Sequence, residues 1–185
     1  IAAGEVIENP SAVIKELVEN SIDAGADLIE VEIENSGFDK IIITDNGCGI
    51  SKNDLIKAPL RHATSKIKKF EDLYSIKTMG FRGEALASIF SVANSRIISR
   101  TKDDEIGYEI NSSNLDKIKE SANKIGTTVI VENLFYNVPA RKKYMKSENL
   151  ELKSVVDVMM RFCIFHFNKK ITLKHKGKFL INKPI

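Results

Sequence analysis

Hydrophobic and polar side chains repeat along this chain with two different periods, and these periods predict its helices and strands. Apolar residues recur every three or four positions over residues 12–22, directly after the helix-start triplet Asn-Pro-Ser at 9–11. The same spacing runs through residues 148–166. We therefore predict an amphipathic helix in each of these two stretches. Alternation of apolar and acidic residues over 28–34 predicts a half-buried strand.

Shorter patterns add further strands and helices. The run 40–44 follows 28–34 across a short turn, so the two are expected to form an antiparallel hairpin. Residues 102–124 are rich in Lys, Asp, Ser and Asn, and there we expect a mobile connection with one short strand near 108–110. The remaining predicted elements are short helices after Ser51 and over 84–91, strands over 95–101 and 126–132, and a closing hairpin of 170–175 with 178–181.

This order of elements predicts the fold class. We expect an α+β fold, a two-layer α/β sandwich whose helices cover one face of a mixed, mostly antiparallel sheet. The chain has 185 residues and is 43% hydrophobic, which fits one well-packed domain over 1–185. It begins at Ile1 rather than at a methionine, so we expect a fragment of a longer protein.

The net charge is only +3, but it is unevenly distributed. Residues 1–60 carry twelve acidic and four basic side chains, whereas residues 139–178 carry eleven basic and three acidic ones. Such a basic region suits a polyanion, although a solvated face on ordinary helices explains it equally well. Cys48 and Cys163 show no CxxC spacing, which fits a reducing intracellular compartment rather than a zinc site or a disulfide framework. The sequence contains no run of about 18 apolar residues that would predict a membrane span.

Glu16 and Asn20 lie four residues apart on the polar face of the first predicted helix, so their side chains are neighbours. A carboxylate in this position can orient and deprotonate a water molecule. An Asn carbonyl oxygen one turn away suits Mg²⁺, which prefers a few protein oxygens together with phosphates and water. Taken alone, the pair is better explained as part of a solvated helix face.

The second predicted strand ends in the segment Asp45-Asn46-Gly47-Cys48-Gly49. An Asp at a strand end can accept a hydrogen bond from an exocyclic amine, and the two glycines let the backbone approach a flat ligand closely. The plain alternative is a tight turn, because Asp-Asn-Gly is ordinary turn chemistry.

Three further segments follow, of which two have groups that suit phosphate and the third opens a strand. Thr64, Ser65 and Lys66 bring two hydroxyls and an ammonium together, although a polar loop is the alternative and the Walker A pattern is absent. Residues 80–86 (Gly-Phe-Arg-Gly-Glu-Ala-Leu) form a flexible turn that leads into a helix, so N–H groups and the positive end of the helix dipole converge. Residues 126–128 (Gly-Thr-Thr) open a strand, and alone they indicate nothing more.

The order of these motifs carries more information than each motif alone. Together, Glu16-x-x-x-Asn20, Asp45-x-Gly47-x-Gly49, Gly80-x-Arg82-Gly83 and Gly126-Thr127-Thr128 resemble the four nucleotide motifs of the gyrase, heat-shock chaperone, histidine kinase and MutL ATPase superfamily. The longer strings over 1–6, 15–26, 62–66 and 80–86 closely resemble the MutL mismatch-repair family. This resemblance is dense over 1–101 and 126–144 and looser elsewhere.

The resemblance implies a Bergerat-type ATP-binding fold and gives roles to the matching positions. Glu16 would be the general base for the attacking water, Asn20 would hold Mg²⁺, and Asp45 would bind the adenine amino group. The other positions would lie beside the base (Gly47, Gly49 and Thr128, or Thr127 in its place), line the nucleotide (Thr64, Ser65 and Lys66), or cradle the phosphates on a lid that orders when ATP binds (Gly80, Phe81, Arg82, Gly83, Glu84, Ala85 and Leu86).

The resemblance also implies partners and a cellular place. ATP binding would drive dimerisation with a second copy or a paralogue, and the dimer would signal from a MutS-type mismatch recognition protein to strand incision. The basic regions would bind DNA without sequence specificity. The protein would lie in the cytoplasm of a bacterium or in the nucleus of a eukaryote. The family's segment before residue 1 and its second domain, which supplies a lysine to the γ-phosphate, are missing here, so we expect weak hydrolysis and a monomer.

Two other functions stay open on the sequence alone. The first is a catalytically silent, nucleotide-gated scaffold that only binds DNA and partners, although the intact Glu16 argues against silence. The second is another enzyme of the superfamily, such as a topoisomerase subunit or a kinase, which the strings quoted above fit less well.

Overall fold

A single sheet with helices packed on one face forms the part of the chain that the computed structural model describes, residues 7–60 and 85–185. The helices are α1 (Pro10–Asp23), α2 (Lys52–Lys57), α3 (Ala85–Val92), α4 (Pro139–Lys143) and α5 (Glu148–Phe165). The strands are β1 (Leu28–Glu34), β2 (Lys40–Asp45), β3 (Asn94–Arg100), β4 (Gly107–Asn111), β5 (Asn114–Ser121), β6 (Gly126–Glu132), β7 (Lys170–His175) and β8 (Lys178–Lys183). The predicted α+β class is confirmed.

Helix α1 forms where the apolar spacing predicts it. The Asn9 side chain caps it by accepting a hydrogen bond from the Ala12 N–H at 2.9 Å, and Pro10 occupies the first turn, where an N–H has no helical partner. Within the described residues, none of the helices is both long and apolar enough to cross a membrane. The apolar faces of α1 and α5 are buried side by side on the sheet, through Val13, Ile14, Leu17 and Val18 of α1 and Val155, Met159 and Phe162 of α5.

The strands form one eight-stranded sheet in the order β5-β4-β3-β6-β2-β1-β7-β8. Every neighbouring pair is antiparallel except β1 and β7, which run parallel. The mixed, mostly antiparallel sheet and both predicted hairpins, β1 with β2 and β7 with β8, are therefore confirmed.

The predicted short strand near 108–110 is confirmed as β4, but the prediction that the rest of 102–124 is a mobile connection is wrong. The structure has two paired strands there, β4 and β5, joined by a turn in which Asn111 Oδ1 accepts hydrogen bonds from the Ser113 hydroxyl and the Asn114 N–H. Strand β5 lies at the sheet edge and half-buries only a few residues, so its many polar side chains resemble a loop in the sequence. Helix α4 was not predicted either, because it buries no residue and therefore has no apolar period.

The strand register places three polar side chains together on the inner, helix-covered face of the sheet. Asp45 of β2 pairs with Thr127 of β6, which in turn pairs with Ser99 of β3. Directly paired residues project on the same face of a sheet, and all three are buried. We call Asp45, Thr127 and Ser99 the polar row. It interrupts a mostly apolar face and marks the candidate site.

Candidate functional site

Asp45 is the last residue of β2, and three hydrogen bonds hold its carboxylate. Oδ2 accepts from the Ser21 hydroxyl at 2.8 Å, and Oδ1 accepts from the backbone N–H groups of Gly47 at 2.9 Å and Thr127 at 3.3 Å. A carboxylate offers about four acceptor positions, so these three bonds leave one position for a further donor. Asp45 is buried but retains 9% exposure, so the protein does not enclose it completely.

Two opposing effects set the charge of Asp45. Burial raises the pKa of its carboxyl above the ordinary value, because an apolar environment disfavours the ionised form. The hydrogen bonds from Ser21, Gly47 and Thr127 lower the same pKa, since all three donate to the carboxylate. Asp45 is thus a buried acid whose ionised form depends on its donors.

Ser99 extends the polar row beyond Thr127. It is completely buried, and its Oγ lies 2.8 Å from Thr127 Oγ1. The same oxygen accepts from the Ile50 N–H at 2.8 Å and lies 3.0 Å from the Gly126 carbonyl oxygen. Hydrogen bonds therefore run from helix α1 through Asp45 and Thr127 to the segment just after residue 49.

The loop between β2 and α2 is fastened to the end of α1 and the start of β1. The Asn46 side-chain oxygen accepts from the N–H groups of Asp27 and Leu28 at 2.9 and 2.8 Å. The Cys48 N–H donates to the Ala24 carbonyl at 2.9 Å. These bonds fix the backbone beside Asp45 before any ligand binds.

The two glycines of this loop face protein atoms. A Cβ at Gly47 would lie 2.8 Å from the Ala24 Cβ, and a Cβ at Gly49, whose φ is +74°, would collide with the Arg100 carbonyl. The absence of a Cβ at both positions lets the loop pack on α1 and β3, and their place beside the base stays a prediction.

Thr128 does not face the site. It pairs with Thr44, and the two hydroxyls lie 3.2 Å apart on the outer face of the sheet. Because successive residues of a strand point to opposite faces, only Thr127 can share the inner face with Asp45. The strand register therefore favours Thr127, the alternative, over Thr128 as the neighbour of Asp45 on the inner face.

Glu16 and Asn20 both lie on α1, one turn apart, as predicted. Lys15 lies beside the first of them, with its ammonium 3.7 Å from the Glu16 carboxylate and 3.0 Å from that of Glu19. Asn20 directly precedes Ser21, the residue that bonds Asp45. The helix thus connects the predicted water-activating and Mg²⁺-binding residues with the polar row.

The predicted phosphate-binding residues fall mostly outside the described part of the chain. This holds for Thr64, Ser65 and Lys66 and for residues 80–84 (Gly-Phe-Arg-Gly-Glu). Ala85 and Leu86 are described, and both are half-buried in the first turn of α3.

Two residues of the site were missed in the sequence, Ser21 and Ser99. Ser21 lies on the apolar face of α1, four residues after Leu17, where a hydroxyl interrupts the hydrophobic stripe. Ser99 lies on the inner face of β3 with Ile97, where the strand pattern calls for an apolar residue. A polar residue at a position that the period assigns to the core is the signal that marks both.

Comparison with known proteins places this chain in a family. Residues 8–143 match the family model described as "Histidine kinase-, DNA gyrase B-, and HSP90-like ATPase". The chain is 52% identical over 183 residues to the DNA mismatch repair protein MutL of Clostridium acetobutylicum, and 48% identical to that of Haemophilus influenzae. These alignments cover 98% and 97% of this chain but only 29% of each relative.

Solved structures agree with the sequence comparison. The ATPase domain of Aquifex aeolicus MutL complexed with ADP matches with a TM-score of 0.76 at 32% identity, over 97% of this chain and 66% of that one. The N-terminal domain of a DNA repair protein matches with a TM-score of 0.82 at 29% identity, over 98% of this chain and 54% of that one. The chain belongs to the histidine kinase-, DNA gyrase B- and HSP90-like ATPase family, and within it resembles the ATPase domain of MutL-type DNA mismatch repair proteins.

Proposed function

We propose that the site around Asp45 binds ATP and that Glu16 activates the water that hydrolyses it. The observation that supports this most directly is the buried Asp45 carboxylate, which keeps one acceptor position beside the buried Thr127. The 6-amino group of adenine is a donor that complements this position, whereas a 6-oxo group would meet another acceptor. The ADP bound to the Aquifex neighbour is a nucleotide of this class.

The proposed hydrolysis of ATP depends on where Glu16 and Ser21 lie along α1. Glu16 precedes Ser21 by five residues, or about 7.5 Å along the helix axis, so one helix would contact both the base region and the phosphate region. The Glu16 carboxylate would accept a proton from water as the water oxygen bonds to the γ-phosphorus. The bond from this phosphorus to the bridging oxygen breaks, and ADP and phosphate leave.

Asn20 suits a role in holding Mg²⁺, which would neutralise charge on the phosphates. Within the described residues, no group of three His, Cys, Asp or Glu side chains could hold an ion. A site with one amide oxygen, completed by phosphate oxygens and water, is the kind that Mg²⁺ prefers. Binding of Mg²⁺ with ATP would order the lid over residues 80–86.

We also propose that this domain is the ATP switch of a MutL-like DNA mismatch repair protein. The relatives that support this are named DNA mismatch repair proteins, and the chain spans about 29% of their length. ATP binding would drive dimerisation with a second copy and couple recognition by a MutS-type protein to downstream repair. Because these relatives are bacterial, we favour the bacterial alternative, with a cytoplasmic homodimer.

DNA binding would use the exposed lysines at and after α4. Lys142, Lys143 and Lys146 are exposed there. Arg141 contributes less, because its guanidinium donates to the Ile7 carbonyl at 3.0 Å and lies over the Phe135 ring. Binding through such lysines would be independent of sequence and would weaken steeply with salt.

Replacing Asp45 tests the base-binding proposal. Asp45→Asn keeps one oxygen for the Gly47 and Thr127 N–H groups but introduces an NH₂ donor opposite the adenine amine. We expect ATP affinity, measured by calorimetry, to fall on the order of 10- to 100-fold. Asp39→Asn changes an exposed carboxylate and should leave the affinity unchanged. An unaltered affinity in a folded Asp45→Asn variant would refute the role.

Replacing Glu16 tests the catalytic proposal and separates it from a silent scaffold. In a form of the protein that extends to the length of its relatives, Glu16→Ala should lower kcat on the order of 10²- to 10⁴-fold while ATP binding persists. Glu120→Ala, an exposed carboxylate on the edge strand β5, should leave kcat unchanged. Persistent turnover in the Glu16 variant would show that another group is the base.

A further inference from the structure

We infer that Ser99 is a positioning residue that fixes the direction of the Thr127 hydroxyl, so that the polar row presents only acceptors to the base. Ser99 itself is completely buried and therefore acts through Thr127. This inference rests on the proposed ATP function and deepens it, because it names the residue that sets the preference for an amino-purine.

The direction follows from counting protons around Ser99. Its Oγ makes three contacts, with the Ile50 N–H, the Gly126 carbonyl and Thr127 Oγ1. A backbone N–H can only donate, and a carbonyl can only accept. The single Ser99 proton therefore goes to Gly126, and the third contact is a hydrogen bond only if the Thr127 hydroxyl donates to Ser99. No other assignment makes hydrogen bonds of all three contacts.

The direction of the Thr127 hydroxyl determines which hydrogen-bonding groups the polar row offers to a ligand. Because the Thr127 proton is used by Ser99, the hydroxyl oxygen of Thr127 has only lone pairs left for a ligand. The neighbouring Asp45 carboxylate offers only lone pairs as well. The 6-amino group of adenine carries two hydrogens and can donate to both acceptors, whereas a 6-oxo group in the same place would meet only lone pairs.

The backbone around Ser99 keeps this arrangement rigid. Gly126 has a φ of +122°, and a Cβ at this position would collide with the Asp45 carbonyl. Strand β6 therefore approaches β2 closely at the residue whose carbonyl receives the Ser99 proton. The Ile50 N–H ties the other side of Ser99 to the loop that follows Gly49.

Strand β3 also supplies a matched control. Ser95 lies on the same inner face as Ser99 and is equally buried, at 1% exposure. Its hydroxyl contacts the Ala93 carbonyl at 3.5 Å, at the opposite end of the strand from the polar row. Ser95→Ala thus reports what the loss of a buried serine does to the fold without a change at Thr127.

The experiment compares the affinities of the full chain for ATP and for inosine triphosphate, in which an oxygen replaces the 6-amino group. In Ser99→Ala, the Thr127 hydroxyl becomes free to donate, and we expect the ATP preference over inosine triphosphate to fall about fivefold. Ser95→Ala should retain the wild-type preference. If Ser99→Ala fails to fold, Ser99→Cys keeps the volume with a much weaker acceptor and should lower the preference in the same direction.

A second variant shows whether Ser99 acts through Thr127. In a Thr127→Val background, Ser99→Ala should change the preference by no more than about twofold. The inference is overturned if Ser99→Ala keeps the wild-type preference, or if it lowers the preference equally with and without the Thr127 hydroxyl. A wild-type chain that binds neither nucleotide would overturn the proposed function and this inference together, so the two failures are distinguishable.

Discussion

A single hydroxyl, that of Ser21, connects the first helix to the acid at the centre of the site. Its oxygen lies 2.8 Å from Asp45 Oδ2 and 3.2 Å from the Leu17 carbonyl, so its proton has two available acceptors. When Asp45 is ionised, the carboxylate is the stronger acceptor and takes this proton. Protonation of Asp45 would return the Ser21 proton to Leu17. Ser21 therefore responds to the charge of Asp45 and stabilises its ionised form.

Ser21→Ala should make ATP binding more sensitive to acid. The pKa of Asp45 is raised by burial and lowered by the Ser21 hydrogen bond, so removing the hydroxyl raises this pKa further. Because the proposed site binds the adenine amine through the ionised carboxylate, we expect the affinity for ATP to be lost at a higher pH than in the wild type. Calorimetric titrations at a series of pH values measure this shift. Ser11→Ala, a buried serine of α1 that bonds Asn9, is the control, and equal pH profiles for all three proteins would contradict the role.

At the scale of elements, the loop after β2 depends on close backbone packing. Gly49 and Gly177 have nearly the same φ, +74° and +73°, but their surroundings differ. A Cβ at Gly49 would collide with the Arg100 carbonyl of β3, whereas a Cβ at Gly177, in the β7–β8 turn, meets nothing within 4 Å. The pair therefore separates backbone strain from steric overlap.

Gly49→Ala should destabilise the protein more than Gly177→Ala. The left-handed backbone costs each alanine variant about 1–2 kcal/mol of unfolding free energy. The collision with Arg100 should add about 1–3 kcal/mol at Gly49, because a backbone carbonyl cannot move aside as a side chain can. Denaturant unfolding of both variants measures the difference. Equal losses would show that the loop can shift away from β3.

The sequence predicts an element well where one face of that element is buried and the other is not. Helix α1 and strand β1 have such faces, and their periods appear in the sequence. Strand β5 and helix α4 bury few residues or none, so packing and pairing, rather than an apolar period, define them. Motifs in the sequence predict Glu16, Asn20 and Asp45 as site residues, whereas only the strand register favours Thr127 over Thr128.

For the molecule as a whole, two histidines with lowered pKa values link stability to pH. Burial lowers the pKa of His175, with the Lys176 charge adding to it and Glu148 opposing it. His175 Nε2 also accepts a hydrogen bond from the Ser36 N–H at 3.4 Å, which requires the neutral ring. Burial and the Lys169 charge likewise lower the pKa of His166. The folded protein thus favours both rings without their extra proton.

Stability should therefore fall as the pH drops below the ordinary histidine pKa of about 6.5. Between the ordinary pKa and the lowered pKa values of the folded protein, the unfolded chain binds more protons than the folded one. The stability that the neutral histidine rings contribute is therefore complete above this pH range and decreases as the pH falls through it. Denaturant unfolding at a series of pH values should show this slope, and His175→Gln should reduce it. A slope that His175→Gln leaves unchanged would assign the effect to other groups.

The parallel pairing of β1 with β7 has a consequence during synthesis. Residues 28–33 pair with residues 170–175, so β1 leaves the ribosome long before its partner strand exists. Until then one edge of β1 is open, and open edges pair with other chains. Glu30, Glu32 and Glu34 alternate along β1, and their charges discourage such pairing. We therefore expect these glutamates, to which the proposed site assigns no role, to protect the nascent chain from aggregation until β7 pairs with β1.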